Sequence, residues 1–164
     1  MLVDKVDEKD RVVGTIQRAD VFKKKAGFRV MHIFLFNNKR ELLIPKIAAG
    51  NRHAGFLGSS VAGVVAAGET YDQTAKRKLL LELGLKNLKL KKIGKTSMKD
   101  EGCKKFVTLY EGSWDGARSL GVDKAQIERL DFVPIEKLIA QGDSAKKKFT
   151  PTFLHVLDFY INHK

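Results

Sequence analysis

The stretch from residue 63 to residue 85, GVVAAGETYDQTAKRKLLLELGL, constrains the fold of this chain more than any other segment. Gly63 and Gly68 allow the backbone to turn tightly and to approach a ligand closely. Behind these glycines, Thr70 suits the N-cap of a helix, and Gly84 suits the residue that ends it. The pattern predicts a glycine-containing loop followed by a helix.

The charged residues of this loop and helix fall into two pairs. Glu69 and Arg77 are eight residues apart, so the guanidinium can reach back to the carboxylate in a bidentate pair and lock the loop. Lys78 and Glu82 are one helical turn apart, and Leu81 lies beside Glu82. Three carboxylates at positions 78, 81 and 82 would form an oxygen cluster for Mg²⁺, but this chain supplies only that of Glu82.

The rest of the chain alternates strand and helix patterns. FRVMHIFLFN reads as a strong strand, and ELLIPKI follows it as the second strand of a hairpin. Other strands are predicted on both sides of DEKD near the start, in LKLKKIGKTS and CKKFVTLYEGSW around a turn at KDEG, and in RLDFVP; other helices are predicted in ADVFKKKAG, PIEKLIAQG and TPTFLHVLDFYINH. Together they predict an α/β/α sandwich with a mixed β-sheet, in one domain of 164 residues.

The composition narrows the classes of partner. Thirty-one Lys and Arg against 19 Asp and Glu give a net charge of +12, which favours polyanions such as nucleotides and RNA over an uncharged partner. The alternative is a solvated basic surface. Apolar runs stay far below the roughly 20 residues of a membrane helix, and the acidic start is not a signal peptide. A cytoplasmic location without a membrane partner is therefore expected.

Seven residues of the loop and helix resemble the Nudix box, G-x5-E-x7-R-E-U-x-E-E-x-G-U, in which U is a bulky aliphatic residue. The matching residues are Gly63, Glu69, Arg77, Leu79, Glu82, Gly84 and Leu85. VDEKDRVVGTIQRADV, FRVMHIFLFNNKRELLIPK and AGFLGSSVAGVVAAGET further resemble the Nudix subgroup related to type I isopentenyl-diphosphate isomerases. The resemblance is clear for residues 2–85 and implies a Nudix-type sandwich over residues 1–164.

The resemblance also implies a reaction, the hydrolysis of a phosphoanhydride in a nucleoside diphosphate derivative. Mg²⁺ or Mn²⁺ would activate the attacking water and neutralise charge on phosphorus. Glu82 and the carbonyl of Gly63 would be metal ligands, and Glu69 with Arg77 would be the structural pair of the catalytic box. Isomerase activity is not expected, because that chemistry uses a cysteine before the box, where this chain has LGSSVAGVV.

Two positions depart from the box, since Lys78 and Leu81 stand where the family has metal-binding glutamates. The metal would therefore bind weakly if at all, and hydrolysis would be weak. The alternative is a catalytically inactive module that binds a phosphorylated ligand or RNA, with the ammonium of Lys78 on a phosphate where the metal would sit. A later carboxylate could complete the metal site, and the possibilities are Asp100, Glu101 and Glu111.

Other basic residues are predicted to flank the pocket. Arg29 and Lys46 lie on strands or strand ends and are predicted to bind phosphate, the alternative being charges on the rim. Arg52 and His53, in the glycine-rich loop, are a further pair predicted to contact the substrate. His32 alternates with apolar residues, which predicts a place in the core or the pocket wall. The oligomeric state stays open, although homodimers are common in the family that the sequence resembles.

Overall fold

The structure, a computed structural model, describes residues 1–163. The strands are β1 (Leu2–Val6), β2 (Val12–Gln17), β3 (Phe28–Phe36), β4 (Glu41–Ile47), β5 (Val61–Val64), β6 (Lys91–Asp100), β7 (Cys103–Ser113) and β8 (Ile127–Pro134). The helices are α1 (Tyr71–Leu83), α2 (Ile135–Ala140) and α3 (Pro151–His163), with 3₁₀ turns at Arg18–Asp20 and Gly142–Lys147. None of the helices described is long and apolar enough to cross a membrane.

β3 is the strand around which the main sheet is organised. The sheet has six strands in the order β6-β7-β3-β4-β8, with β5 paired to β3, while β1 and β2 form a separate hairpin. β3 is parallel to β7 and antiparallel to β4 and β5, so the sheet is mixed. The predicted hairpin of β3 and β4 and the predicted pair of β6 and β7 are both confirmed.

The side chains of β3 alternate between the two faces of the sheet, as in any extended strand. Its even-numbered apolar residues join a core around Phe153 of α3, and its odd-numbered ones join a second core around Leu79 of α1. Both faces are therefore covered by a helix, because each face buries apolar area. This arrangement confirms the predicted α/β/α sandwich.

The edge of β3 that faces away from β7 is shared by two strands. β4 pairs with it only at Phe36↔Leu42, and β5 takes over the same edge towards the start of β3. At the branch, the hydroxyl of Ser60 accepts a hydrogen bond from the N–H of Leu35 (2.9 Å) and donates one to the carbonyl of Leu43 (2.7 Å). The sheet thus opens as a fork between β4 and β5.

Helix α1 begins and ends where the sequence predicts. The hydroxyl of Thr70 accepts from the N–H of Gln73 (3.1 Å), and the side chain of Gln73 accepts from the N–H of Thr70 (2.9 Å), which completes a capping box. Gly84 ends the helix at φ 68°, in the left-handed region. The cap also places Asp72 in the first turn, near the positive end of the helix dipole.

One predicted helix is wrong. ADVFKKKAG forms turns after the 3₁₀ turn at Arg18–Asp20, and only Val21 and Ala26 are buried in this stretch. Three consecutive exposed lysines leave the segment without an apolar stripe, and a helix this short is not stable on its own. The final helix is confirmed, with the hydroxyl of Thr150 accepting from the N–H of Phe153 (3.2 Å).

Candidate functional site

A cleft of about 550 Å³ opens in the fork of the sheet. β4 contributes Pro45 and Ile47 to its walls, β5 contributes residues 62–64, and α1 contributes Lys78 and Glu82. The loop and helix that most constrain the fold therefore form one side of this cleft. This is where a ligand can reach both the glycine-containing loop and the charged face of α1.

The pair of Glu69 and Arg77 ties the loop to α1. Nε and Nη2 of Arg77 donate to the two carboxylate oxygens of Glu69, both at 2.9 Å. The same carboxylate accepts from the hydroxyl of Thr74 (2.9 Å) and from the N–H of Ala66 (3.3 Å). The hydrogen bonds from Arg77 hold the pKa of Glu69 below its usual value. The geometry is the bidentate one that the spacing predicts.

Lys78 and Glu82 meet inside the cleft. Nζ of Lys78 lies 2.7 Å from Oε2 of Glu82, and their side chains are 18% and 9% exposed. The stem of Lys78 crosses the face of Gly63, where an added Cβ would come within 2.7 Å of Lys78 Cε. Burial raises the pKa of Glu82, although the charge of Lys78 opposes this shift. Lys78 and Glu82 are thus each other's partners.

The donor set does not fit a divalent metal as it stands. Glu82 is the one carboxylate that lines the cleft within residues 1–163, and one of its oxygens is held by an ammonium. Mg²⁺ and Mn²⁺ favour several oxygen ligands, with carboxylates among them. Across the part of the chain that the structure describes, three or more His, Cys, Asp or Glu side chains are nowhere grouped so as to hold a metal ion.

Two of the later acidic residues are engaged elsewhere. Asp100 accepts two hydrogen bonds of 2.9 Å from Arg52 and lies 2.6 Å from Nζ of Lys105. The hydrogen bonds from Arg52 hold the pKa of Asp100 far below its usual value. Glu101 is exposed and lies 3.7 Å from Arg52. Neither residue lines the cleft beside Glu82.

The third later acidic residue, Glu111, belongs to the contact between β7 and α3. It accepts a hydrogen bond from the hydroxyl of Tyr160 and lies 3.3 Å from Nη2 of Arg40. Burial and this hydrogen bond raise the pKa of Tyr160. Glu111 does not line the cleft, so none of the three acidic residues stands beside Glu82.

Arg29 lies outside the cleft lining and anchors the N-terminal hairpin. Its Nε donates to Oδ1 of Asp10 (2.6 Å), and its Nη2 donates to the Asp10 carbonyl (2.7 Å). The buried Asp10 carboxylate also accepts from Lys95 (2.6 Å) and Tyr71 (2.9 Å). Burial alone would raise the pKa of Asp10, but these hydrogen bonds outweigh it and lower the pKa. Arg29 points to the α1 face because it is an odd-numbered residue of β3.

Among the other basic residues predicted to flank the pocket, Arg52 and His53 lie in the cleft and Lys46 does not. Nζ of Lys46 lies 3.0 Å from a carboxylate oxygen of Glu128, outside the lining, because strand alternation turns it away from its neighbours Pro45 and Ile47. Arg52 and His53 both line the cleft. The guanidinium carbon of Arg52 also lies 4.3 Å from the ring centroid of Phe22.

Two polar pairs also line the cleft, His32 with Ser59 and Lys105 with Thr152. His32 was predicted to lie in the core or the pocket wall, and the other three residues were not predicted. Nδ1 of the buried His32 lies 2.6 Å from the hydroxyl of Ser59, and burial lowers the pKa of His32 to about 3. Lys105 is also buried and donates to the hydroxyl of Thr152 (2.9 Å). The same sequence pattern could have identified both His32 and Lys105 as residues of the cleft. Each is a polar residue on a strand whose apolar residues alternate with it.

Comparison with known proteins agrees with this geometry. The family model described as the NUDIX domain matches residues 27–153. An uncharacterized Nudix hydrolase of Pseudomonas aeruginosa is 26% identical over 162 residues, which is 98% of this chain and 94% of the relative. An isopentenyl-diphosphate Delta-isomerase of Photorhabdus laumondii is 37% identical over 89 residues, which is 54% of this chain and 50% of the relative.

Solved structures show the same fold. The crystal structure of a protein from Deinococcus radiodurans has a TM-score of 0.82 at 25% identity and covers 97% of this chain and 98% of that one. The NUDIX domain of NrtR from Shewanella oneidensis, solved with ADP ribose, has a TM-score of 0.63 at 12% identity, with 90% and 98% covered. At that identity the second likeness concerns the fold alone.

Proposed function

This chain belongs to the Nudix family, and from that premise we propose that its cleft binds a nucleoside diphosphate derivative, with Lys78 in the place of a metal ion. The observation that carries the proposal is the contact of 2.7 Å between Lys78 and Glu82 in the cleft. Under the proposal, phosphoanhydride hydrolysis of the Nudix type is weak because Lys78 and Leu81 replace two box glutamates. The proposal treats residues 1–164 as one Nudix domain, of which Lys164 lies outside the described residues.

Lys78 is suited to this role by its position and by its number of donors. An ammonium group carries three hydrogens, so Lys78 can keep its contact with Glu82 and donate to a phosphate oxygen at the same time. The cleft is partly closed to water, which strengthens a charge-assisted hydrogen bond relative to bulk solvent. Arg18 and Arg52 also line the cleft and add positive charge to its walls.

The second function is hydrolysis, and it is favoured by family membership, since Nudix proteins are typically magnesium-dependent diphosphohydrolases. The pair of Glu69 and Arg77 is complete and leaves the loop in place for such a reaction. Hydrolysis through Glu82 requires its contact with Lys78 to open, because the residues as they stand do not fit Mg²⁺ or Mn²⁺. The closed contact is the reason that binding is the leading proposal.

Calorimetry in EDTA tests the binding proposal directly. Wild-type protein is titrated with ADP, CDP and inorganic pyrophosphate, and then compared with Lys78→Gln. We expect binding to persist without divalent metal and to weaken about tenfold in Lys78→Gln, because one charge-assisted hydrogen bond is lost. Lys76→Gln is the matched control, since Lys76 is an exposed lysine of the same helix outside the cleft lining. Binding that requires metal, or equal affinity in Lys78→Gln, would refute the proposal.

Product release over a panel of nucleoside diphosphates, nucleotide sugars and dinucleotides, with Mg²⁺ and with Mn²⁺, tests the hydrolytic alternative. Turnover by wild type that disappears in Glu82→Gln supports a weak hydrolase that uses the remaining box carboxylate. A wild type without turnover supports binding alone. RNA, which the net charge of +12 favours as a partner, is tested by the salt dependence of its binding, which should be steep if phosphates are contacted.

A further inference from the structure

The floor of the cleft holds a polar pair that the proposed function does not use. His32 lies on β3 directly opposite Ala62 of β5, one residue from the glycine that the stem of Lys78 crosses. The side chain lines the cleft, although the residue is only 5% exposed. Nδ1 of His32 lies 2.6 Å from the hydroxyl of Ser59. The pair therefore lines the same cleft in which the proposal puts the diphosphate.

The second ring nitrogen of His32 reaches the open space of the cleft. Nδ1 is the ring atom with a hydrogen-bond partner, and Nε2 makes no hydrogen bond within residues 1–163. Among those residues, the one fully buried side-chain nitrogen or oxygen without a partner is Oε1 of Gln141. Nε2 is thus not sealed in the core, and the cleft is the space that it faces.

The imidazole of His32 is neutral at physiological pH. Burial lowers its pKa to about 3, and the charge of Lys105 and the neighbouring His155 act in the same direction. A neutral imidazole carries one N–H, so Nε2 is either a donor or an acceptor according to which nitrogen holds the hydrogen. Either form suits an uncharged hydroxyl or amide, whereas a phosphate would favour a cation.

We infer that His32, held by Ser59, recognises an uncharged polar group of the ligand next to its diphosphate, such as a ribose hydroxyl or the amide edge of a base. The inference rests on the proposed function and adds a specificity to it. An apolar tail at this place would cover Nε2 without replacing the hydrogen bond that it makes to water, at a cost of about tenfold in affinity. The cleft therefore selects nucleoside diphosphates over alkyl diphosphates.

Calorimetry in EDTA with three ligands tests this inference: ADP, inorganic pyrophosphate and a short-chain alkyl diphosphate. Ser59→Ala removes the atom that orients the ring, and His32→Leu removes the ring nitrogen itself. We expect both variants to bind ADP about fivefold to tenfold more weakly and to bind pyrophosphate as wild type does. His32→Leu should bind the alkyl diphosphate more tightly than wild type, because no ring nitrogen is then left to be covered by the apolar tail. Thr96→Ala is the matched control, because Thr96 makes the same kind of contact (2.9 Å) with Nε2 of His155, outside the cleft lining.

The ¹⁵N chemical shifts of the His32 ring supply a second measurement on unaltered protein. Nε2 should shift on addition of ADP and stay unchanged on addition of pyrophosphate. Equal loss of affinity for all three ligands, or an unchanged Nε2 shift with ADP, would overturn the inference while the proposed function stands. Wild-type protein that binds neither ADP nor pyrophosphate would instead overturn the proposed function, and the inference with it.

Discussion

The two ion pairs at α1 have the same chemistry and different surroundings. Glu69 and Arg77 are 24% and 41% exposed and share two hydrogen bonds, with Thr74 as a further donor. Lys78 and Glu82 are 18% and 9% exposed and share a single contact inside the cleft. The first pair connects a loop to a helix, and the second occupies the position at which Nudix proteins with a complete box have carboxylates alone.

From this difference we expect the two pairs to have separable functions. A partly exposed bidentate pair stabilises a loop without using a ligand, and its energetic contribution is modest because water screens it. A buried pair has a large desolvation cost, and removing one partner leaves an uncompensated charge. Lys78 can therefore change the chemistry of the cleft while Arg77 keeps its shape. The following four predictions test this separation, from the largest expected effect to the smallest.

Restoring the two carboxylates should have the largest effect. In Lys78→Glu with Leu81→Glu, the affinity for Mn²⁺ should rise by roughly 100-fold, because an ammonium is replaced by two additional oxygen ligands near Glu82. Leu81 is 54% exposed, so the change leaves the core intact. Titration calorimetry measures the affinity. Lys78→Glu with Leu80→Glu, which adds the same charge at another exposed leucine of α1, is the matched control and should gain less.

Removing the cation alone should destabilise the protein. Lys78→Met should lower the free energy of unfolding by about 2 kcal/mol at pH 8, less than the roughly 3–5 kcal/mol of a fully buried pair, because Glu82 can take up a proton. Urea unfolding measures this change. Burial raises the pKa of Glu82 in the folded state, so the folded protein takes up a proton at Glu82 more readily than the unfolded chain does. The stability that protonation of Glu82 contributes is complete at a pH below the pKa of Glu82 in the unfolded chain. It is lost as the pH rises through the pKa of Glu82 in the folded protein.

The difference between Lys78→Met and wild type should therefore be small near pH 4 and largest near pH 8. Compared with Glu82→Gln alone, the double variant Lys78→Met with Glu82→Gln should show no such pH dependence, since Glu82 is then absent from both proteins. A difference that is the same at both pH values would show that Glu82 does not titrate in the cleft. The two pairs would then differ less in their electrostatic contribution to stability than the exposure of their side chains indicates.

Breaking the exposed pair should have a smaller effect on stability. Arg77→Gln should lower the free energy of unfolding by about 0.5–1 kcal/mol, because the Arg77 side chain is 41% exposed and its charge is screened. Amide hydrogen exchange should become faster at residues 64–69, which the pair ties to α1. Exchange that stays as slow as in wild type would mean that the capping box at Thr70 holds the loop without Arg77.

The smallest of the four effects should be the difference between the two pairs in how salt changes their contribution to stability. Between 0.1 M and 1 M NaCl, the destabilisation caused by Arg77→Gln should shrink by a few tenths of a kcal/mol, because exposed charges are screened. The destabilisation caused by Lys78→Met should change less, because the pair is buried. Urea unfolding of both variants at the two salt concentrations measures the difference. Equal salt dependence would contradict the separation of the pairs.

Much of the scaffold could be predicted because the signals are local. The helix boundaries follow from Thr70 and Gly84, whose side-chain and backbone chemistry satisfies the orphan groups of a helix within one turn. The strand β3 follows from its run of aromatic and β-branched residues, and the reach of Arg77 to Glu69 follows from helical spacing. Each of these depends on residues fewer than ten positions apart.

Contacts that depend on strand register could not be predicted. Whether Arg29 and Lys46 face the cleft is decided by the face on which each strand residue falls, and a shift of one position reverses it. The predicted place of His32 in the core or the pocket wall agrees with the structure, because its alternation with apolar residues is a local signal. Lys105 was not predicted, and the pairing of β7 with β3 brings it to the cleft. No local pattern indicated that Asp10 would be the partner of Arg29, 19 residues away.

The sequence by itself determined the box-like spacing, the capped helix, and the pairing of Glu69 with Arg77, because these follow from the geometry of a single loop and helix. Its resemblance to the Nudix box also led to the prediction that Lys78 and Leu81 replace two carboxylates. Only the tertiary structure decided that Lys78 closes on Glu82. Helix α1 packs across Gly63, which has no side chain, and this removes the side chains of Lys78 and Glu82 from water. They pair because a buried charge without a partner of opposite charge is strongly destabilising.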